Sequence, residues 1–354
     1  MYGSDARTGR RGGGRRAGGR AALATGAALL LAACSSGGGG GGSGDGGAKA
    51  GGPRQGPVRQ QPKGTDPYWV DPHGRAARAL AAYEKGGADR EAALVRRIAE
   101  QPVGQWLTPE SARQEAEGFT EAARRADRVA VLVLYNIPHR DCGQYSGGGA
   151  ADGNAYRAWI KEVAAGIGDR PATVVLEPDA LLHLVDGCTP EKFHEERYDL
   201  LKGALTTLGA LPRTKVYLDA GNPGWQRPEA LREPLERAGV AAADGLAVNV
   251  SNFETTARSV DYGKRLSAQA GGKPFVVDTS RNGNGPYPKG DPAERWCNPP
   301  GRALGETPTA DTADPLVDAY LWVKRPGESD GTCKGGPKAG EWWPAYALDL
   351  AAGG

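Results

Sequence analysis

Thr173-Val174-Val175-Leu176-Glu177-Pro178-Asp179 is a short β-branched apolar run that ends in two carboxylates. The same pattern recurs at Val129 to Leu134, Lys215 to Leu218, Gly245 to Val250, Pro274 to Val277 and Tyr320 to Val323. Helical signals lie between the runs. Thr108-Pro109 and Thr189-Pro190 each read as an N-cap followed by proline at the first helical position, opening helices to about Arg125 and Leu208. Trp159, Val163 and Ile167 mark the apolar face of another helix. Near-continuous apolar runs alternating with helices imply parallel strands covered on both faces, an α/β fold.

A barrel and an open doubly wound sheet share that alternation, and the polar residues decide between them. Tyr135-Asn136, Glu177-Pro178-Asp179, Asp219 to Asn222, Asn249 to Asn252, Asp278 to Arg281 and Lys324 to Asp330 each follow a run. Barrel enzymes draw catalytic residues from the C-terminal ends of many strands, whereas a dinucleotide fold concentrates its signal in one glycine-rich first turn. No such glycine motif follows a strand in this chain, so the expectation is a barrel without a nucleotide cofactor.

The amino terminus reads differently. Arg7, Arg10, Arg11, Arg15, Arg16 and Arg20 precede an uncharged stretch from Ala21 to Ala33, the layout of a secretory signal. The stretch is shorter than the roughly 20 residues a spanning helix needs. Its end, Leu31-Ala32-Ala33-Cys34, resembles a bacterial lipobox, so residues 1–33 are expected to be removed and Cys34 lipidated. Two acyl chains on that cysteine suffice for stable attachment to the outer face of the cell membrane. Residues 34–64, rich in glycine and poor in apolar side chains, read as a flexible tether, and residues 65–354 as one catalytic domain.

Removing the signal takes away six arginines and one aspartate, turning the formal charge of +2 slightly negative. A near-balanced chain offers nucleic acid no electrostatic footprint. The domain holds Cys142, Cys188, Cys297 and Cys333, which an oxidising compartment joins into two disulfides with three pairings open. Four histidines in the whole chain and no Cys-x-x-Cys motif argue against a bound metal.

Cleaving a glycosidic bond takes one carboxyl group held protonated and a carboxylate that handles the incoming water. The proton donor needs burial or a like charge nearby to raise its pKa. Asp179, Asp141 in the loop after the preceding strand, and Asp330 are the candidates. Taken singly, an aspartate after a strand is ordinarily a cap or turn residue; Glu177 is open to an internal ion pair and Asp278 to a capping role. Their grouping carries the expectation. Tryptophans near strand ends, Trp106, Trp225 and Trp296, suit the stacking of sugar rings.

From about Trp106 to Asp349 these motifs, in order, resemble glycoside hydrolase family 6, the inverting cellulases. The strings that carry the likeness are Tyr135 to Cys142, Val174 to Leu181, Tyr217 to Gly221 with Trp225, Asn249 to Asn252, and Leu321 to Gly331. The resemblance implies a modified, incomplete parallel β/α barrel of about seven strands. It places the general acid at Asp179, its pKa-raising neighbour and water relay at Asp141, the debated base at Asp330, and the tyrosine against the distorted sugar at Tyr135. Trp106, Trp225 and Trp296 fall on sugar platforms, and Asn249, Lys324 and Glu328 on hydroxyl-binding positions, with Asp219 beside the cleavage site. An Arg140 contact to a carboxylate fits the same scheme.

The resemblance also pairs Cys142 with Cys188 and Cys297 with Cys333. Asn222 departs from it, standing where many members carry histidine but keeping a hydrogen-bonding group. The serine of the loop after Cys142 is Ser146, unless Gly147 takes its place. A short connection from Asp278 to Cys297 leaves little chain to roof the cleft, which favours internal cleavage. The expectation is a monomeric endo-β-1,4-glucanase acting on cellulose or related β-glucans. The alternatives are a non-catalytic sugar-binding surface lipoprotein, or a cellobiohydrolase or other β-glucanase on the same scaffold.

Overall fold

The computed structural model describes residues 61–291 and 294–354. The signal, Cys34 and nearly all of the tether lie outside the described residues. Seven parallel strands stand side by side in chain order: β1 (Gln105–Trp106), β2 (Ala130–Leu134), β3 (Ala172–Leu176), β4 (Thr214–Asp219), β5 (Gly245–Val248), β6 (Phe275–Asp278) and β7 (Val317–Leu321). Alternating side chains of these strands enter two different cores. Leu132, Leu134, Val174, Leu176, Val216, Leu218, Leu246, Val248 and Val277 pack outward with Ile160, Val163, Leu201 and Leu205 of the helices. Val131, Val133, Val175, Tyr217, Ala247, Val276, Ala319 and Leu321 pack inside the curl. Two buried faces explain the unbroken apolar runs, and each fully buried Val or Leu contributes about 1.5–3 kcal/mol.

The helices that cover the outside are α3 (Ala112–Arg125), α4 (Gly153–Ile167), α5 (Leu182–Val185), α6 (His194–Gly209), α7 (Arg232–Arg237) and α8 (Thr256–Gln269). In α8, Gly263 lets the helix lie against β6, since a Cβ there would sit 2.3 Å from the Phe275 ring. Before β1, α1 (Arg75–Lys85) and α2 (Asp89–Ala99) form a hairpin, and Ile98 packs with Ala347 and Ala351 of α9 (Pro344–Ala352). None of the described helices is long and apolar enough to cross a membrane.

The sheet does not close by strand pairing; the ladder runs from β1 to β7 and stops. Its two edges touch where Gly104 N donates to Trp322 O and the Trp106 indole donates to Val323 O, each at 2.9 Å. This is the incomplete barrel anticipated from the sequence. Three boundaries differ. Helix α6 starts at His194 after a 3-10 turn over Glu191–Phe193, because Pro190 is extended (ψ 137°) and the Thr189 hydroxyl makes no capping hydrogen bond. The last strand begins at Val317, earlier than the Tyr320 expected, because Val317, Ala319 and Leu321 are buried while Asp318 and Tyr320 are half-buried, so no continuous apolar run announces it. Helix α3 starts at Ala112, after the expected cap: Thr108 and Ser111 hydroxyls both donate to the Glu115 carboxylate, forming a preceding turn instead. Trp159 lies in the core, as its spacing implied.

Candidate active site

At the C-terminal ends of the strands, the backbone turns are held by carboxylates reaching across from neighbouring strands. Glu177, fully buried after β3, accepts from Asn136 N at 2.9 Å and Ile137 N at 2.9 Å on the turn after β2. Asp219, ending β4, accepts from Asp179 N at 2.9 Å on the turn after β3. Asp278, ending β6, accepts from Ser251 N (2.9 Å) on one side and Lys324 N (3.0 Å) on the other. The latching role of Asp278 is the capping role foreseen for it. Glu177 serves backbone amides, and no ion pair accompanies it among the described residues.

Those latches hold strained turns. His139, Asp141, Cys142, Glu177, Asp179, Asn249 and Ser251 all adopt positive φ without being glycine, with Asp179 at 69°. Such conformations persist only where the surroundings over-determine them, and they concentrate at functional sites. The loop after β2 returns at Gly149, φ 97°, where a Cβ would lie 2.0 Å from Ile137 O. The disulfides join Cys142 to Cys188 and Cys297 to Cys333, fastening the loops after β2 and β3 to each other and two loops around β7.

These turns bring Asp179, Asp141, Asp219 and Tyr135 together. Asp179 is part-exposed at the cleft, yet enough protein surrounds it that burial, reinforced by the Asp141 and Asp186 charges, raises its pKa to about 6. His183 and a hydrogen bond from Tyr135 pull the other way. Asp219 is pushed well up, first by burial and then by the Asp179 charge, so the two carboxyls resist simultaneous ionisation. Asp141 is raised by burial against the Ser146 amide, which donates to it at 2.6 Å. The Tyr135 phenol is pushed up by burial and by Asp179 and Asp141, and its ring meets Trp106 edge-on at 5.6 Å.

Asp330 sits in the opposite environment. Arg281 Nη1 donates to both its oxygens at 2.8 and 2.9 Å, Lys324 Nζ lies at 3.1 Å, and Asn298 N donates at 3.0 Å. Although burial alone would raise its pKa, these partners together hold it below the usual carboxylate range. Arg281 is itself fully buried, with its guanidinium 4.3 Å from the Phe253 ring centroid.

Several residues assigned to sugar contact are spoken for by protein. The Asn249 amide donates to Asp278 O (2.8 Å) and Glu254 O (3.2 Å) and accepts from Glu254 N, holding the turn after β5. Arg140 does not pair with a carboxylate: it donates to the carbonyls of Ser146 and Tyr135, and its guanidinium lies 4.8 Å from the Tyr135 ring centroid. Lys324 is directed at Asp330 and at Ser329 O. Glu328 is buried between Arg75 (3.5 Å) and Arg325 (3.1 Å). Asn222 accepts from Gly224 N at 2.9 Å, fixing the turn that presents Trp225.

Trp106, Trp225 and Trp296 are part-exposed. Trp296 meets Tyr145 at 6.2 Å. Arg197 of α6 carries no sequence signal as a site residue, because its buried guanidinium works through distant carbonyls: Pro138 O (2.8 Å), His139 O (3.0 Å) and Ala180 O (3.2 Å), tying the Asp141 loop to the turn of Asp179.

The sequence profile of Glycosyl hydrolases family 6 matches residues 63–353. Endoglucanase A of Cellulomonas fimi is 45% identical over 73% of this chain and 56% of its own length, and Endoglucanase A of Thermobispora bispora 41% over 72% and 56%. The chain thus spans a little over half of these two relatives. The structure of the endoglucanase Cel6 from Mycobacterium tuberculosis in complex with methyl-cellobiosyl-4-deoxy-4-thio-β-D-cellobioside is similar at a TM-score of 0.75 and 44% identity, covering 81% of this chain and 98% of that one.

The Glu177 latch has a measurable signature. Burial raises its carboxyl to about 7 in the folded chain, above the value of an unfolded glutamate. Between those values the folded state binds the extra proton, so this group's stabilising contribution is complete below about pH 4.3 and is lost as pH rises through 7. Glu177→Gln should therefore flatten the fall in thermal midpoint expected of the parent between pH 4.5 and 7.5, measured by circular dichroism.

Proposed function

Because the chain belongs to glycosyl hydrolases family 6, we propose that it is an inverting endo-β-1,4-glucanase acting on cellulose or related β-glucans, with Asp179 as general acid. The observation that carries this reading is the placement of Asp179. It lies part-exposed on a strained turn in the cleft, latched through its amide to Asp219, with burial and neighbouring carboxylates holding its proton to about pH 6. A glycosidic oxygen reached by that carboxyl receives the proton as the bond to the anomeric carbon breaks. A water attacks the opposite face of the sugar and must lose a proton in turn.

Asp330 is a poor acceptor for that proton, since Arg281, Lys324 and the Asn298 amide stabilise its ionised form and lower its basicity. Asp141 has no such cations bonded to it and its pKa is raised. This supports delivery of the water's proton towards Asp141, with Asp330 holding Lys324 and the loop after β7. Tyr135 and Trp106, packed edge to face, form the wall against which the ring at the cleavage point is pressed. Trp225 on one side and Trp296 on the other are the platforms for the chain beyond it.

Internal cleavage is favoured by the endoglucanases to which the chain is similar and by the short connection from Asp278 to Cys297, which leaves little chain to roof the site. The two disulfides suit an oxidising, extracytoplasmic setting. Within this proposal, Cys34 carries the lipid anchor, and residues 34–64 let the catalytic domain reach soluble or amorphous glucan near the cell surface. The substrate is the partner; the enzyme acts as a monomer without a metal or organic cofactor.

Three measurements test the reading. Asp179→Ala should lower turnover of cellopentaose by about 10²- to 10⁴-fold while binding by calorimetry is retained; unchanged turnover would remove Asp179 from the donor role. In the parent, kcat/KM should decline as pH rises through about 6, because only protonated Asp179 donates. Acting on carboxymethylcellulose, the enzyme should lower viscosity well ahead of the release of reducing ends. A proportional fall in both would instead indicate attack from chain ends.

A further inference from the structure

His183 occupies a position that none of the roles above uses. It lies on α5, one turn past the acid, and its amide donates to Asp179 O at 3.0 Å. Its Nδ1 is 3.2 Å from Asp186 Oδ2, and the same oxygen accepts from the Trp225 indole at 3.0 Å. The imidazole meets the Trp225 ring edge-on at 5.0 Å. Its Nε2 is buried without a hydrogen-bond partner. A ring nitrogen lies within 4.8 Å of both sulfurs of the Cys142–Cys188 disulfide, which sets the imidazole against the loop bearing Asp141. Those sulfurs are bonded to each other, so the grouping is a packing contact and not a set of metal ligands.

The charged groups around this ring come from several elements. Asp179 and Asp186 lie on its own turn and Asp141 on the loop after β2; behind these, Arg140 of that loop acts on Asp141, Asp219 of β4 on Asp179, and Arg197 of α6 on Asp186. A positive charge on His183 acts on Asp179, Asp141 and Asp186 alike, and favours the ionised form of each. Trp225, Asp186, His183 and the acid thus form one continuous chain of contacts from a sugar platform to the proton donor.

We propose that His183 is a positioning residue for the reaction: its imidazolium, held by Asp186 beside Trp225, sets the charge felt by Asp179 and Asp141, and so links occupation of the Trp225 platform by a glucosyl ring to retention of the acid's proton. A sugar stacked on Trp225 shields the His183–Asp186 pair from water and alters that charge. The arrangement limits how far towards alkaline pH the donor stays protonated. The proposal rests on Asp179 being the donor, and its test includes an arm that does not require turnover.

The first arm is the pH dependence of kcat/KM on cellopentaose. Replacing the cation with a neutral amide, His183→Gln, should move the alkaline limb upward by roughly one pH unit, the order an adjacent opposite charge commands. His183→Lys, with a fixed positive charge, should keep the limb at or below that of the parent. A His183→Gln limb that stays in place or moves down overturns the proposal, even if the thermal midpoint falls, since packing alone predicts only the latter. The second arm follows the His183 ring by NMR in substrate-free protein labelled at histidine, with and without Asp179→Asn. Loss of the Asp179 charge should shift the ring-nitrogen resonances at pH 6. Identical resonances overturn the coupling whether or not the chain hydrolyses glucan.

Discussion

Capture of one strand's turn by a buried carboxylate from the next is the interaction on which the rest of the site depends. Glu177 holds the turn after β2, Asp219 the turn after β3, and Asp278 the turns after β5 and β7. Parallel strands leave unpaired amides where the ladder stops, and an orphaned buried amide costs about 1–3 kcal/mol. Carboxylates satisfy these amides in geometries that no regular structure provides. The positive-φ turns of Glu177, Asp179, Asn249 and Ser251 are held at the places where these latches attach.

The same solution has an electrostatic consequence. Gathering buried carboxylates at strand ends places Asp219 and Asp141 near Asp179, and neither burial nor like charge lets all of them ionise at neutral pH. The proposed proton donor is thus a by-product of how the sheet's end is closed. Across the cleft, Arg281 and Lys324 give Asp330 the reverse treatment, and it stays ionised. Two aspartates, one after β3 and one after β7, are tuned apart by their neighbours, the pattern that separates acid from anion in hydrolytic sites. Arg197 and the Cys142–Cys188 bridge then keep the Asp141 loop and the acid turn in one frame.

Much of this was legible in the sequence, for identifiable reasons. Strands β2 to β6 are buried on both faces, so they stand out as apolar runs. The tight grouping of Asp141 and Asp179 follows from their places on the turns of adjacent strands. Strand β1 is two residues long and β7 alternates buried with half-buried side chains, so neither produces such a run. The apolar residues of the α1 and α2 hairpin are mostly alanines, and its Ile98 packs against α9. Functional readings were least legible where a polar side chain faces its own backbone. Asn249 and Arg140 sit on site loops but spend their hydrogen bonds on carbonyls and amides, which no motif distinguishes from sugar contacts. Arg281 and Arg197 stayed silent because their partners are distant in sequence.

The proposed mechanism rests on a single displacement by water assisted by a protonated Asp179. Proton NMR of cellopentaose hydrolysis, recorded before mutarotation equilibrates the new reducing end, reads that directly. The α-anomer should appear first and decay towards the equilibrium mixture. Initial appearance of the β-anomer would mean retention through a covalent intermediate, and would contradict Asp179 as the acid of a direct displacement and Asp141 as the acceptor of the water's proton.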